Sequence, residues 1–269
     1  MRGHAPRRGR VVAALTTLFA AAIVAGACTN ATSAPNAVVA IAFDSLPYPA
    51  VVAHDTLRDS TGKAMPLKAV AYNSDGQVIV NPSVRYLALD TGVVIDAQGY
   101  LVANTRTSGT VRVVATANFL QSITRTILVT RQPLKLAATS KLADTLKYAS
   151  PDVAADNITA PFSVKLTGDS SGVAVPTVGF IVSYRLTRGG VVLSANDTTV
   201  SLFDDAGHVS TADTTAADGT ASRKLRVWAN KLPFLEDSVF VTASAKYHGA
   251  AVAGSPVTFV IHLLRKSAR

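Results

Sequence analysis

From Val38 onward the chain is written in short apolar, β-branched runs cut by turns rich in Gly, Asn, Asp and Pro. In Thr110–Ala117, Val111, Val113 and Ala115 fall on one face and Arg112 on the other, the period of a half-buried strand. The same reading predicts strands over 38–43, 68–72, 77–80, 83–88, 93–96, 100–103 and 123–129. Asn73-Ser74-Asp75-Gly76 and Asp96-Ala97-Gln98-Gly99 supply turns in which Gly takes the positive φ. A second series is expected over 162–166, 179–186, 191–194, 198–203, 220–229, 238–247 and 256–264. Short strands at regular spacing indicate sandwiches or barrels. Gln132-Pro133 divides the two series, because proline donates nothing to a strand ladder. The expected domains are 37–131 and 134–264, each held by its own core. Residues 134–160 carry no clear pattern and are expected to give a first strand and a long loop around Ala149-Ser150-Pro151-Asp152. Asp144-Thr145-Leu146 echoes Asp55-Thr56-Leu57.

The first 28 residues follow a different rule. Arg2, Arg7, Arg8 and Arg10 precede an apolar run, Val11–Ala27, broken only by Thr16 and Thr17. A basic start, an apolar middle and a small-residue exit are the parts of an export signal. The run is short and alanine-rich for a membrane span. Composition supports the strand reading downstream. Val, Thr, Ala and Ser dominate, and Glu236 is the sole glutamate; β-branched residues pack well on a pleated surface and lose rotamers in a helix. Cys28 is the single cysteine, so no intramolecular disulfide can form. The net charge is +9, and loss of the four N-terminal arginines leaves +5. Arg265, Lys266 and Arg269 sit in the basic tail, 265–269. No basic stripe remains, which argues against a nucleic-acid partner.

Two resemblances follow from particular residues. Val24-Ala25-Gly26-Ala27-Cys28 resembles the lipobox of bacterial lipoproteins, with Ala25 where that family usually has Leu. The resemblance implies a signal peptide over 1–27, a diacylglycerol on the Cys28 sulfur, and a tether over 28–36. Thr29 after the cysteine implies outer-membrane sorting, and hence an envelope or cell-surface location. Ordinary cleavage at Ala25-x-Ala27, or an uncleaved anchor, are the alternatives. The second resemblance is carried by Asp55-Thr56-Leu57, Lys68–Gly76, Ser83-Val84-Arg85-Tyr86, Val93–Ala103 and Ser108–Val113. This series is similar to group 2 bacterial immunoglobulin-like domains, with Tyr86 where the family often has Trp. Ala216-Ala217-Asp218-Gly219-Thr220-Ala221 and Val239–Ala245 resemble the ending of group 1, invasin-type domains. Together they imply an all-β chain of two tandem immunoglobulin-like Greek-key sandwiches.

Catalytic chemistry is sparse. His54, His208, His248 and His262 are scattered, with no zinc-type spacing. Neither G-x-S-x-G nor H-E-x-x-H occurs. Asp204, Asp205, Asp213 and Asp218 flank turns and are the candidates for Ca²⁺, although such aspartates more often cap their own backbone. Trp228 is the sole tryptophan and the candidate for stacking on a carbohydrate, against a role in the core or at its rim. The expectation is a non-enzymatic envelope lipoprotein, held on the membrane by its lipid, whose sandwiches act as a spacer or adhesive module toward a protein or carbohydrate ligand. The alternative is a carbohydrate-binding or enzyme-accessory protein of the envelope; an enzyme on a β scaffold is a third reading.

Overall fold

The computed structural model describes residues 37–149, 157–232 and 236–266. Cys28 and the signal, tether and terminal residues 267–269 lie outside them, as does most of the expected loop around Pro151. Among the described residues the regular structure is strand throughout, apart from one 3₁₀ turn at Ala229–Lys231. No helix is long and apolar enough to cross a membrane.

The first half contains β1 (Ala40–Phe43), β2 (Ala50–Val52), β3 (Ala69–Tyr72), β4 (Arg85–Ala88), β5 (Val94–Ile95), β6 (Leu101–Val102), β7 (Gly109–Ala117), β8 (Leu120–Gln121) and β9 (Arg125–Thr130). One sheet runs β2-β9-β7-β4, with β8 on β7; β1-β3 and β5-β6 form the facing layer. Val111, Val113 and Ala115 are buried between the layers, as their spacing predicts, while Arg112 points out to Asp90. Leu57, Leu67, Leu101 and Ile127 complete this core. Tyr86 is half-buried with its ring 6.0 Å from that of Phe43.

The second half contains β10 (Lys135–Ala138), β11 (Ala143–Tyr148), β12 (Phe162–Ser170), β13 (Val173–Pro176), β14 (Ile181–Arg188), β15 (Val191–Val192), β16 (Val200–Phe203), β17 (Ala212–Thr214), β18 (Thr220–Val227), β19 (Glu236–Ser244), β20 (Lys246–Tyr247), β21 (Ala250–Ala251) and β22 (Val257–Arg265). Its sheets are β10-β12-β18-β16 and β11-β22-β19-β14-β15, with β13 on β12 and β17 on β14. Strict alternation along β12, β18, β19 and β22 sends Phe162, Leu166, Leu225, Val241, Phe259 and Ile261 inward. In both halves an early strand runs parallel to the last one, β2 on β9 and β11 on β22.

Three expectations are corrected. Residues 77–80 form no strand: after the Asn73–Gln77 turn Val78 bridges to Tyr72 and the Ile79 N–H donates to the Ala71 carbonyl at 2.9 Å, too short a ladder for a strand. Residues 134–149 are two strands, β10 and β11, one in each sheet. Asp144-Thr145-Leu146 lies inside β11, whereas Asp55-Thr56-Leu57 follows β2. The echo is local: in each, the Asp Oδ1 accepts the next Thr N–H, at 2.7 and 2.8 Å.

Candidate functional site

No strand of the first sheet set pairs with one of the second among the described residues, yet the buried apolar residues of both halves form one connected cluster. Side chains at the junction explain the continuity. Tyr48, just before β2, meets Phe180, just before β14, with ring centroids 5.4 Å apart at 62°, an edge-on pairing. The Ile181 N–H donates to the Tyr48 hydroxyl oxygen at 2.7 Å, and the Val178 N–H donates to Thr130 Oγ1 at 3.0 Å. Burial of the Tyr48 ring raises its phenol pKa well above the usual value, the bond from Ile181 working the other way.

Beside these apolar contacts sits a charged cluster. Arg58 grips Asp55 with Nε and Nη2, both at 3.0 Å, and the Thr56 N–H adds a third donor at 2.7 Å. From the other sandwich the Tyr247 hydroxyl donates to Asp55 Oδ2 at 2.9 Å, and His248 Nε2 stands 2.6 Å from the same oxygen. Burial pushes the Asp55 carboxyl up, but the bonds from Arg58, His248, Thr56 and Tyr247 outweigh it and hold the pKa well below the usual carboxylate range. The Tyr247 phenol is raised, by burial and then by the carboxylate that accepts its proton. Arg58 Nη1 also donates to the Gly62 carbonyl at 3.0 Å, fixing the turn that follows. Gly62 has φ +91°, and a Cβ there would overlap the Gly249 nitrogen and the His248 carbonyl carbon, so only glycine lets the two backbones approach so closely. The recess bordered by Tyr48, Asp55, Arg58, Phe180, Tyr247 and His248 has a volume of about 30 Å³, room for water rather than for a substrate.

The sequence-derived candidates fall elsewhere and apart. Asp204 closes its own turn, taking the His208 N–H at 2.8 Å. Asp205 pairs with Lys224 at 2.9 Å on the surface. Asp218 accepts the Thr220 N–H at 2.9 Å and its hydroxyl at 2.6 Å. Asp213 faces the buried Arg223 at 3.1 Å and accepts the Ser222 N–H at 2.7 Å. No three His, Cys, Asp or Glu side chains converge as metal ligands among the described residues. His262 lies on the exposed face of β22 beside Ser238.

Trp228 follows β18, half-buried, and its N–H donates to the Thr199 carbonyl. The Arg226 guanidinium lies over its ring, 3.8 Å from the centroid, and 5.9 Å from that of Phe203. Asn196, Asp197, Thr198, Lys231 and Phe203 line a shallow recess of about 240 Å³ beside it. Asp197 is committed to its own loop through Thr199 and Val200.

The Asp55 cluster was missed from sequence. Its only signal was the Asp55-Thr56-Leu57 triplet, and the partners Tyr247 and His248 lie more than 190 positions away.

No protein-family model matches the chain, and no curated protein matches it. Solved structures similar to it include domains 4–9 of the surface layer protein SbsC, at 14% identity over 86% of this chain and 31% of that one, with a TM-score of 0.29. A two-domain protein of unknown function from Bacteroides fragilis matches at 13% identity over 50% of this chain and 46% of that one, TM-score 0.31. Mouse clustered PcdhgC3 EC1-3 matches at 11% identity over 69% and 55%, TM-score 0.26. The chain thus spans about a third of the SbsC fragment's length, and at these scores the similarity carries no argument about activity.

Proposed function

We propose that the protein is a non-enzymatic, exported envelope lipoprotein, anchored through Cys28, in which two sandwiches joined by a fixed junction form a stiff spacer. The observation that carries this reading is the junction itself. A flexible connection needs no cluster across it, whereas here Asp55 collects donors from both sandwiches, Tyr48 packs on Phe180, and Gly62 meets Gly249 backbone to backbone. The same cluster offers little to catalysis. Its carboxylate is consumed by Arg58 and Tyr247, and no adjoining space fits a substrate. The lipobox-like Val24–Cys28 supports the anchor, and two acyl signals suffice for stable attachment. Mass spectrometry of the mature N-terminus tests it: an acylated Cys28 is expected, with Cys28→Ser moving the protein to the soluble fraction. An unmodified Cys28 on a soluble product would overturn the anchor.

A second reading, carbohydrate binding, is favoured by one observation, the recess beside Trp228. Arg226 already covers one face of the indole, so a sugar would have to use the other. Retention on insoluble polysaccharide, lost in Trp228→Ala, would support it.

A further inference from the structure

The three most exposed large apolar side chains among the described residues are Phe119 (105%), Ile123 (85%) and Val80 (82%). Phe119 and Ile123 belong to one hairpin at a pole of the first sandwich, and Val80 follows the turn after β3 at the same end. Phe119 is at the tip of the β7–β8 hairpin, where Asn118 takes φ +53° and Ala117 pairs with Leu120. Ile123 follows on the same hairpin, and β1 lies beside β8. Val80 follows the turn after β3, whose last residue Tyr72 pairs with Ala40, the first residue of β1. Val78 and Val39, both exposed, lie at the same edge. The junction is at the opposite end: β9 runs away from the hairpin, from Arg125 paired with Val113 to Thr130 against the second sandwich. Arg85 and Arg125, both exposed, pair with the strand that carries the hairpin, and Asp75 is the acid nearby.

The described chain enters at this same pole. Eight residues separate Cys28 from Ala37, so the pole can lie no farther than about 30 Å from the lipid. Five apolar side chains facing water, with Arg85 beside the hairpin, suit the boundary between anionic headgroups and acyl chains. We propose that this tip, led by Phe119 and Ile123, docks on the phospholipid surface and sets the spacer upright on its anchor. This rests on the lipoprotein reading for the orientation. A tip held so near the bilayer is at high effective concentration, so a weak contact suffices.

The test uses the full chain carrying Phe119→Trp and Trp228→Phe, purified from membranes and reconstituted in phosphatidylethanolamine–phosphatidylglycerol vesicles with brominated acyl chains. The indole emission should shift to the blue and fall at least twofold against unbrominated vesicles, and adding Ile123→Ser should restore most of it. The native protein, with Trp228 on the second sandwich, should show no quenching. A water-like, unquenched indole on protein that floats with the vesicles would overturn the docking. So would a blue shift that arises without lipid together with a dimer by sedimentation, which would assign the tip to a second copy. The N-terminal mass decides the anchor separately: quenching of an unacylated protein would keep the docking and remove the anchor.

Discussion

The two sandwiches reach similar sheet plans by different means. In the first, β2, β5, β6 and β8 are only two or three residues long, and tight turns do much of the ordering. Asp59, Asn73 and Asp96 each accept backbone N–H groups two and four residues ahead, with a glycine between. In the second, strands of eight or nine residues alternate inward and outward over most of their length, and aromatic residues fill the centre, with Phe162 and Phe259 5.5 Å apart. Turn chemistry and long-strand alternation are therefore interchangeable ways to fix register. The first leaves a motif that resembles a family; the second leaves mainly periodicity.

The largest expected effect is in the second core. Phe259→Ala removes a fully buried ring and should cost the second sandwich about 3–5 kcal/mol. The first sandwich's own melting signal should move only as far as the junction couples them. Equal loss in both would show a single cooperative unit and erase the comparison.

Next comes the turn-dependent sandwich. Gly99 has φ +89°, and a Cβ would stand 3.0 Å from Tyr86 Cε2 and 3.3 Å from the Leu67 carbonyl oxygen. Gly99→Val should destabilise the first sandwich by about 1–3 kcal/mol, through backbone strain and crowding together. An unchanged melt would show that the turn does not set register there.

The junction follows. Asp55→Asn keeps the shape but gives up the charged bonds to Arg58 and His248, and should cost about 1–2 kcal/mol, read as melting transitions of the two sandwiches moving apart. Superimposable melts of the variant and the native chain would deny the cluster its role.

The smallest effect is its pH counterpart. The Asp55 pKa is depressed on folding, so its contribution is complete above the unfolded value near about 4 and is lost as pH falls toward the folded value. Coupling between the sandwiches should weaken below about pH 4 in the native chain and stay flat in Asp55→Asn. Asp90, held down to about 2 by its bond to Arg112, titrates in the same range, so Asp90→Asn is the control, expected to leave the coupling unchanged.

Sequence legibility follows the range of the interactions. The β7 alternation and the Asn73 and Asp96 turns were readable because they are decided within a few residues. The strand β2 was not, nor were β10 and β11 as separate strands: these are short and owe their place to distant partners, β2 to β9 and β11 to β22. The inward Arg223 on β18 was hidden for the same reason, since Asp213, Ser210 and the Ala212 carbonyl reach it only after β17 folds back. Asp213, one of the four cation candidates, pairs with that arginine. Asp55 reads as an ordinary turn aspartate until Tyr247 and His248 arrive from the other sandwich.

The proposal of a fixed junction is tested most directly by an interspin distance measured across it. Spin labels at Thr126→Cys and Lys147→Cys, in a Cys28→Ala background, report one exposed position on each sandwich. A single narrow distance distribution in the native junction, broadened by Asp55→Asn, is the predicted result. A broad distribution already present with Asp55 intact would contradict the stiff spacer.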